Sequence, residues 1–247
     1  MLSSTLQTGT SSELLELWER AVATAPVERA DVLVAAQLET PPTSLGAHNA
    51  ALLDLRARLF GSTQPLSSRC TMCGATTEFA IDCASLARAL LPANDATLEQ
   101  RLEADGYRIE FRLPVVADVR AASSRGDRDG FVRALLQRCI TRCERDDGAV
   151  CDPESMPEAV AAAVSQRMEA LEPGAAVSFD LTCPECDTRW TAPMDCGDVL
   201  WSELQVRAER LLLDVDALAR AYGWSESQVL ALSPTRRAAY LQLIGSG

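Results

Sequence analysis

The chain has no lysine and a single histidine, His48. Every positive side chain is arginine, so the P-loop signature G-x-x-x-x-G-K-[ST] is impossible and its nucleotide chemistry is excluded. Neither G-x-G-x-x-G nor G-x-S-x-G occurs. His48 has no Ser or Cys nucleophile beside it in sequence, and a lone His in a helical stretch is expected at a surface or cap. Basic residues are also outnumbered: 23 Arg against 35 Asp and Glu give a net charge of −12. Such a chain repels a phosphate backbone, which argues against general nucleic-acid binding. No run of about 18 apolar residues is present, so no membrane span is expected. The polar stretch Met1–Thr10 lacks the basic start and apolar run of a secretory signal, and a cytoplasmic, reducing compartment is expected. The acidic pairs Asp127/Asp129 and Asp146/Asp147 read as solvated turns. Asp214 and Asp216 lie two apart on a helix and do not share a face. No catalytic residue stands out, and neither an enzyme nor a small-molecule substrate is expected.

What the chain does have is cysteine, nine in 247 residues. Cys70-Thr-Met-Cys73 is followed by Phe79 and Asp82-Cys83. Cys183-Pro-Glu-Cys186, 113 positions on, is followed by Trp190 and Asp195-Cys196. A two-residue spacer in a tight turn can bring both sulfurs to one ion, and two such knuckles supply four thiolates, the set a tetrahedral zinc site needs. Gly74 suits the first turn and Pro184 the second. Cys70, Cys73, Cys183 and Cys186 are therefore the expected ligands of a structural Zn2+, with no open position for substrate. Four thiolates suit iron as well. Cys83 and Cys196 match in the repeat and read as core. Cys139 and Cys143, four apart on an expected helix face, could both bind a metal but read as core, because free Cys is among the most buried residue types. Cys151 falls in a charged loop with no evident role.

Periodicity gives an α+β fold, mostly helical. Helices are expected from Ser12 (with Ser12 as cap), over 30–38 and over 47–60 with Gly61 as stop. Further helices are expected at 83–91, from 118, and over 131–142, 157–171 and 199–222. Ser225 to Gln228 forms a capping box opening a short helix, and Ser233-Pro234 opens the last one. A turn is expected at Gly126–Gly130 and a charged loop at 144–153. Tyr107–Leu113 alternates as a half-buried strand and is expected to join the knuckle strands in one small antiparallel sheet. The chain then divides into an N-terminal helical segment (1–61), a split zinc ribbon (62–198) carrying an insert at about 84–176, and C-terminal helices (199–247). The insertion between the ribbon halves is tolerable because loop-closure cost grows only logarithmically with length.

Four segments together resemble a known family. They are Leu45-Gly46 with 49–61; Ile109 to Pro114 with Asp118; Leu181 to Cys186 with Trp190, Asp195 and 200–203; and Ala219 to Glu226 with Arg236 to Leu241. In this order they are similar to the baseplate-hub assembly chaperones related to T-even-type phage baseplate proteins, found with contractile phage tails and phage-tail-like contractile injection systems. The likeness runs from about residue 12 to 244. It implies a non-enzymatic assembly chaperone or small structural component whose partners are baseplate or hub proteins, cytoplasmic or built into the particle.

The expected partner surface is C-terminal: Tyr222, Trp224 and Tyr240 as aromatic anchors, with Arg236 and Arg237 for partner carboxylates. The competing expectation is that the aromatics pack the two short helices onto the long one. Glu203, Arg207 and Arg210 read as a solvated face. The alternative function is a zinc-ribbon nucleic-acid-binding regulator, disfavoured because only Arg69 and Arg189 lie near the knuckles. A metal-dependent enzyme would need an open coordination site.

Overall fold

A computed structural model describes residues 10–40, 42, 44–91, 99–123 and 128–245. Helix α1 (Ser11–Val22) begins where Thr10 leaves extended backbone. The Thr10 hydroxyl accepts from the Glu13 amide, and Glu13 Oε2 accepts from the Thr10 amide at 2.7 Å. The cap is thus Thr10 and not Ser12, which already lies in the first turn. A 3-10 turn at Pro26–Glu28 leads into α2 (Arg29–Ala35), and α3 (Leu45–Phe60) runs from its Ser44 cap to Gly61 at φ +94°.

Two copies of one unit follow, separated by an insert. In the first, β1 (Thr63–Arg69) and β2 (Thr76–Asp82) form a hairpin around the first Cys pair and feed α4 (Cys83–Leu90).

The insert has its own sheet, order β3 (Gln100–Ala104), β4 (Tyr107–Phe111), β5 (Ile140–Arg145), all antiparallel. It also carries α5 (Val116–Ala122), α6 (Arg128–Cys139) and α7 (Glu158–Leu171). In the second copy, β6 (Ser178–Thr182) and β7 (Arg189–Pro193) feed the long α8 (Cys196–Tyr222). Short α9 (Glu226–Leu230) and α10 (Pro234–Gly245) complete the chain. The Ser225–Gln228 capping box is present.

The repeat extends to its caps. Asp82 accepts from the Ser85 amide at 2.7 Å and Asp195 from the Asp198 amide at 2.9 Å. Each therefore caps a helix whose first residue, Cys83 or Cys196, is buried. These two cysteines share a core with Leu33, Leu53, Leu200 and Leu204, as expected of them. A second core lies within the insert, where Ile109 and Phe111 meet Leu136, Val160, Val164 and Met168.

Three expectations fail here for related reasons. The strand from Tyr107 does not join the knuckle strands. Among the described residues there are three separate sheets, and β4 finds neighbours on both edges inside the insert. The helix expected to reach Arg142 stops at Cys139, because Ile140 onward pairs with β4, Phe111 opposite Ile140 and Ile109 opposite Cys143. Cys139 and Cys143 are both buried but share no helix face. The expected charged loop likewise loses residues 144 and 145 to β5. The turn expected at Gly126–Gly130 falls largely outside the described residues, and Gly130 itself is in α6.

Candidate metal centre

Both Cys pairs sit on the same backbone turn. The Cys70 amide donates to Ala75 O at 2.8 Å and the Gly74 amide to Cys70 O at 3.0 Å. In the second turn Cys183 donates to Thr188 O at 2.9 Å and Asp187 to Cys183 O at 3.0 Å. The residue after each second Cys has positive φ: Gly74 at +74° and Asp187 at +56°. Glycine takes that conformation freely, and Asp is among the residues that tolerate it. The second turn thus reproduces the first without its glycine, which the sequence alone did not reveal.

The hairpins are held together below the turns. Trp190 Nε1 donates to Ser68 Oγ at 3.2 Å, and the rings of Phe79 and Phe179 lie 5.3 Å apart. This packing brings all four sulfurs within 4.8 Å of one another. Cys70 Sγ is 3.6 Å from Cys186 Sγ, and Cys73 Sγ is 3.6 Å from Cys183 Sγ. A tetrahedron of sulfurs around an ion at about 2.3 Å has edges of about 3.8 Å. Disulfide sulfurs sit about 2.05 Å apart, so these are free thiols. The four residues could hold a metal ion.

Their electrostatics fit the same chemistry. The Cys73 and Met72 amides draw the Cys70 thiol below its ordinary value. The Thr188 hydroxyl and amide bring Cys186 down to about 6. At Cys73 the Ala75 amide pulls downward, but the sulfurs of Cys186 and Cys183 outweigh it and push the thiol up to about 12. Four sulfurs this close cannot all ionise by themselves, whereas a bound cation lets them. Cys70 and Cys183 are buried; Cys73 and Cys186 face outward.

The family model described as T4 bacteriophage base plate protein matches residues 36–199. The chain belongs to this family. The matched span takes in both turns, the insert and the first residues of α8. No curated protein and no solved structure matches the chain.

Elsewhere in this base plate family member the structure corrects two expectations, at Glu203 and His48, and gives Cys151 a neighbour. Glu203 is not part of a purely solvated face. It accepts from Arg56 Nε at 3.0 Å and Nη2 at 2.9 Å. Arg56, 3% exposed, also donates to Gly61 O and to Thr63 O, tying α3, β1 and α8 together. Its position on the same face as Leu52 and Leu53 was the one available signal. His48 is buried and not a surface residue, with Nε2 3.0 Å from Asp31 Oδ1. It lines a cavity of about 510 Å³ with Arg29, Arg120, Asp195 and Trp201. Burial holds its pKa down against the pull of Asp195. Cys151, given no role above, lies in sulfur contact with Cys143 at 3.1 Å.

At the C-terminus Tyr222, Trp224 and Tyr240 form one ring cluster. Tyr222 stacks on Trp224 at 4.8 Å, and Tyr240 stands edge-on to Trp224 at 4.9 Å. The cluster joins α10 to the end of α8 and to Trp224 just beyond it, but α10 contributes no buried residue. Arg237 donates to Asp214 Oδ2 and Ser11 Oγ, both at 3.1 Å, whereas Arg236 is exposed. No helix among the described residues is long and apolar enough to cross a membrane.

Proposed function

We propose that this base plate family member is a non-enzymatic assembly chaperone or small structural component of a contractile, phage-tail-like injection particle. In this reading Cys70, Cys73, Cys183 and Cys186 hold a structural Zn2+ that closes a split zinc ribbon. The observation that carries it is the convergence of four thiols from either side of the insert within the family-matched span. A filled shell of four thiolates leaves no position for substrate, so the metal supplies fold and not chemistry. The segments 1–61, 62–198 and 199–247 then act as a helical base, a ribbon with its insert at about 84–176, and a projecting helical arm.

The arm is the proposed contact for baseplate or hub proteins. Tyr222, Trp224 and Tyr240 are its anchors, Arg236 offers a guanidinium to a partner carboxylate, and Arg237 seats α10 on α8. Exposed Leu213 and Leu243 extend the apolar area. Assembly in the cytoplasm, with the finished particle as destination, follows from this role. Nucleic acid is not a proposed partner, given the acidic charge.

Co-purification from cells that express the neighbouring tail genes, with metal content read on the same sample, tests both halves. A baseplate or hub protein recovered at about one zinc per chain is expected. Zinc without any tail partner would keep the ribbon and remove the chaperone or component role. Loss of the partner in a W224A/Y240A chain that keeps its zinc would place the contact on the arm.

A further inference from the structure

A second pair of sulfurs lies away from the metal centre. After β5 the chain turns at 146–148 and runs back beside it. Glu144 pairs with Val150, the Arg145 amide donates to Ala149 O at 2.9 Å, and the Cys151 amide to Cys143 O at 2.9 Å. Cys143 and Cys151 are therefore directly opposed across an antiparallel pair. That placement sets Cα atoms about 4.5–5.5 Å apart, within the span of a disulfide. Their sulfurs lie 3.1 Å apart, closer than the 3.6 Å contacts in the four-cysteine cluster. Among the described residues, that cluster is the one group of three or more side chains placed to hold a metal. The Cys143–Cys151 pair has no such set of ligands around it, so its natural chemistry is with each other. Access differs between them: Cys143 is 2% exposed, whereas Cys151 is half-buried.

We propose that Cys143 and Cys151 are a redox pair that closes into a cross-strand disulfide on meeting a small-molecule disulfide of the glutathione disulfide class. Cys151 is the thiol the oxidant can reach. Its proton goes to solvent, and the thiolate attacks one oxidant sulfur. The oxidant S–S bond breaks, one small thiol leaves, and a mixed disulfide remains on Cys151. Cys143 then loses its proton and attacks Cys151 Sγ, expelling the second small thiol. Two protein thiols are oxidised while one disulfide is reduced to two thiols, so atoms and electrons balance. Burial and the neighbouring Cys151 sulfur push the Cys143 thiol up to about 12, which disfavours it for the first attack; its resolving role rests on its 3.1 Å contact with Cys151 Sγ. The link fastens the returning segment to β5 and persists only outside a reducing compartment.

The test uses the full chain as purified, incubated with glutathione disulfide at neutral pH, digested without reduction and mapped by mass spectrometry. A peptide containing Cys143 joined to one containing Cys151 is expected, with a mass loss of about 2 Da per chain that dithiothreitol reverses. In C143S, Cys151 should keep a glutathione adduct because no second thiol resolves it. A wild-type chain that retains glutathione on Cys151 without the link overturns the proposal, as does one that leaves both thiols free. The wild-type map stands even if the variant folds poorly.

Discussion

Asp118 shows what one side chain does at a junction. Its carboxylate is 2% exposed and accepts from Arg112 Nη1 at 2.5 Å, Arg112 Nη2, Arg138 Nε and the Val115 amide, the last three at 3.0 Å. Burial alone would raise its pKa, but the Arg112 hydrogen bonds, the Val115 amide and Arg138 hold it below the usual carboxylate value. Replacing it by Asn should cost about 2–3 kcal/mol, read from urea unfolding, because two guanidiniums lose their counter-charge. With the folded pKa depressed, the stabilisation is complete above the unfolded value of about 3.9 and is lost as pH falls through the folded one. Wild type should therefore lose stability below about pH 4 more steeply than D118N; parallel acid limbs would count against the assignment. Sequence showed Asp118 as the start of a helix and part of a family-like segment, not as a buried ion-pair centre. Its partner Arg138 lies 20 residues away, across α5 and α6.

At the scale of elements, the Ser225–Gln228 capping box was readable and close approaches were not. Asp82 and Asp195, legible only as a repeated Asp-Cys pair, prove to be caps acting over three residues of backbone. Asp195→Ala should cost about 1 kcal/mol, with fraying at the start of α8 visible by hydrogen exchange. Gly46 and Gly174 give no such local sign. A Cβ on Gly174 would stand 2.3 Å from Leu90 O and 3.1 Å from Gly46 Cα, so the end of α4 and the start of α3 meet there backbone to backbone. G174A should lower stability by about 1–3 kcal/mol through forced backbone movement. G245A, with open space around it, should stay within about 1 kcal/mol of wild type. Equal melting temperatures for the two variants would mean that α3 and α4 part easily.

For the whole molecule, the four-cysteine centre brings together hairpins that flank the insert within the family-matched span. The insert between them has its own core of Ile109, Phe111, Val160 and Val164. Stripping the proposed metal with a chelator should therefore lower the melting temperature of the chain and raise amide exchange at 63–82 and 178–193 first. Amides of β4 and β5 should hold longer, since their protection comes from the insert. A uniform rise across both regions would show instead that the chain opens as one unit.

The sequence by itself determined the helical majority, the Ser225–Gln228 capping box, the paired Cys motifs and their repeat, because each depends on backbone and side-chain chemistry within a few residues. It also marked Cys83 and Cys196 as core. The tertiary structure decided what pairs with what. It gave β4 its partners inside the insert, buried His48 beside Asp31, drew Glu203 to Arg56 and opposed Cys143 to Cys151. Those outcomes depend on which long-range packing buries the most apolar surface while satisfying each buried polar group, and no short window of sequence contains that sum.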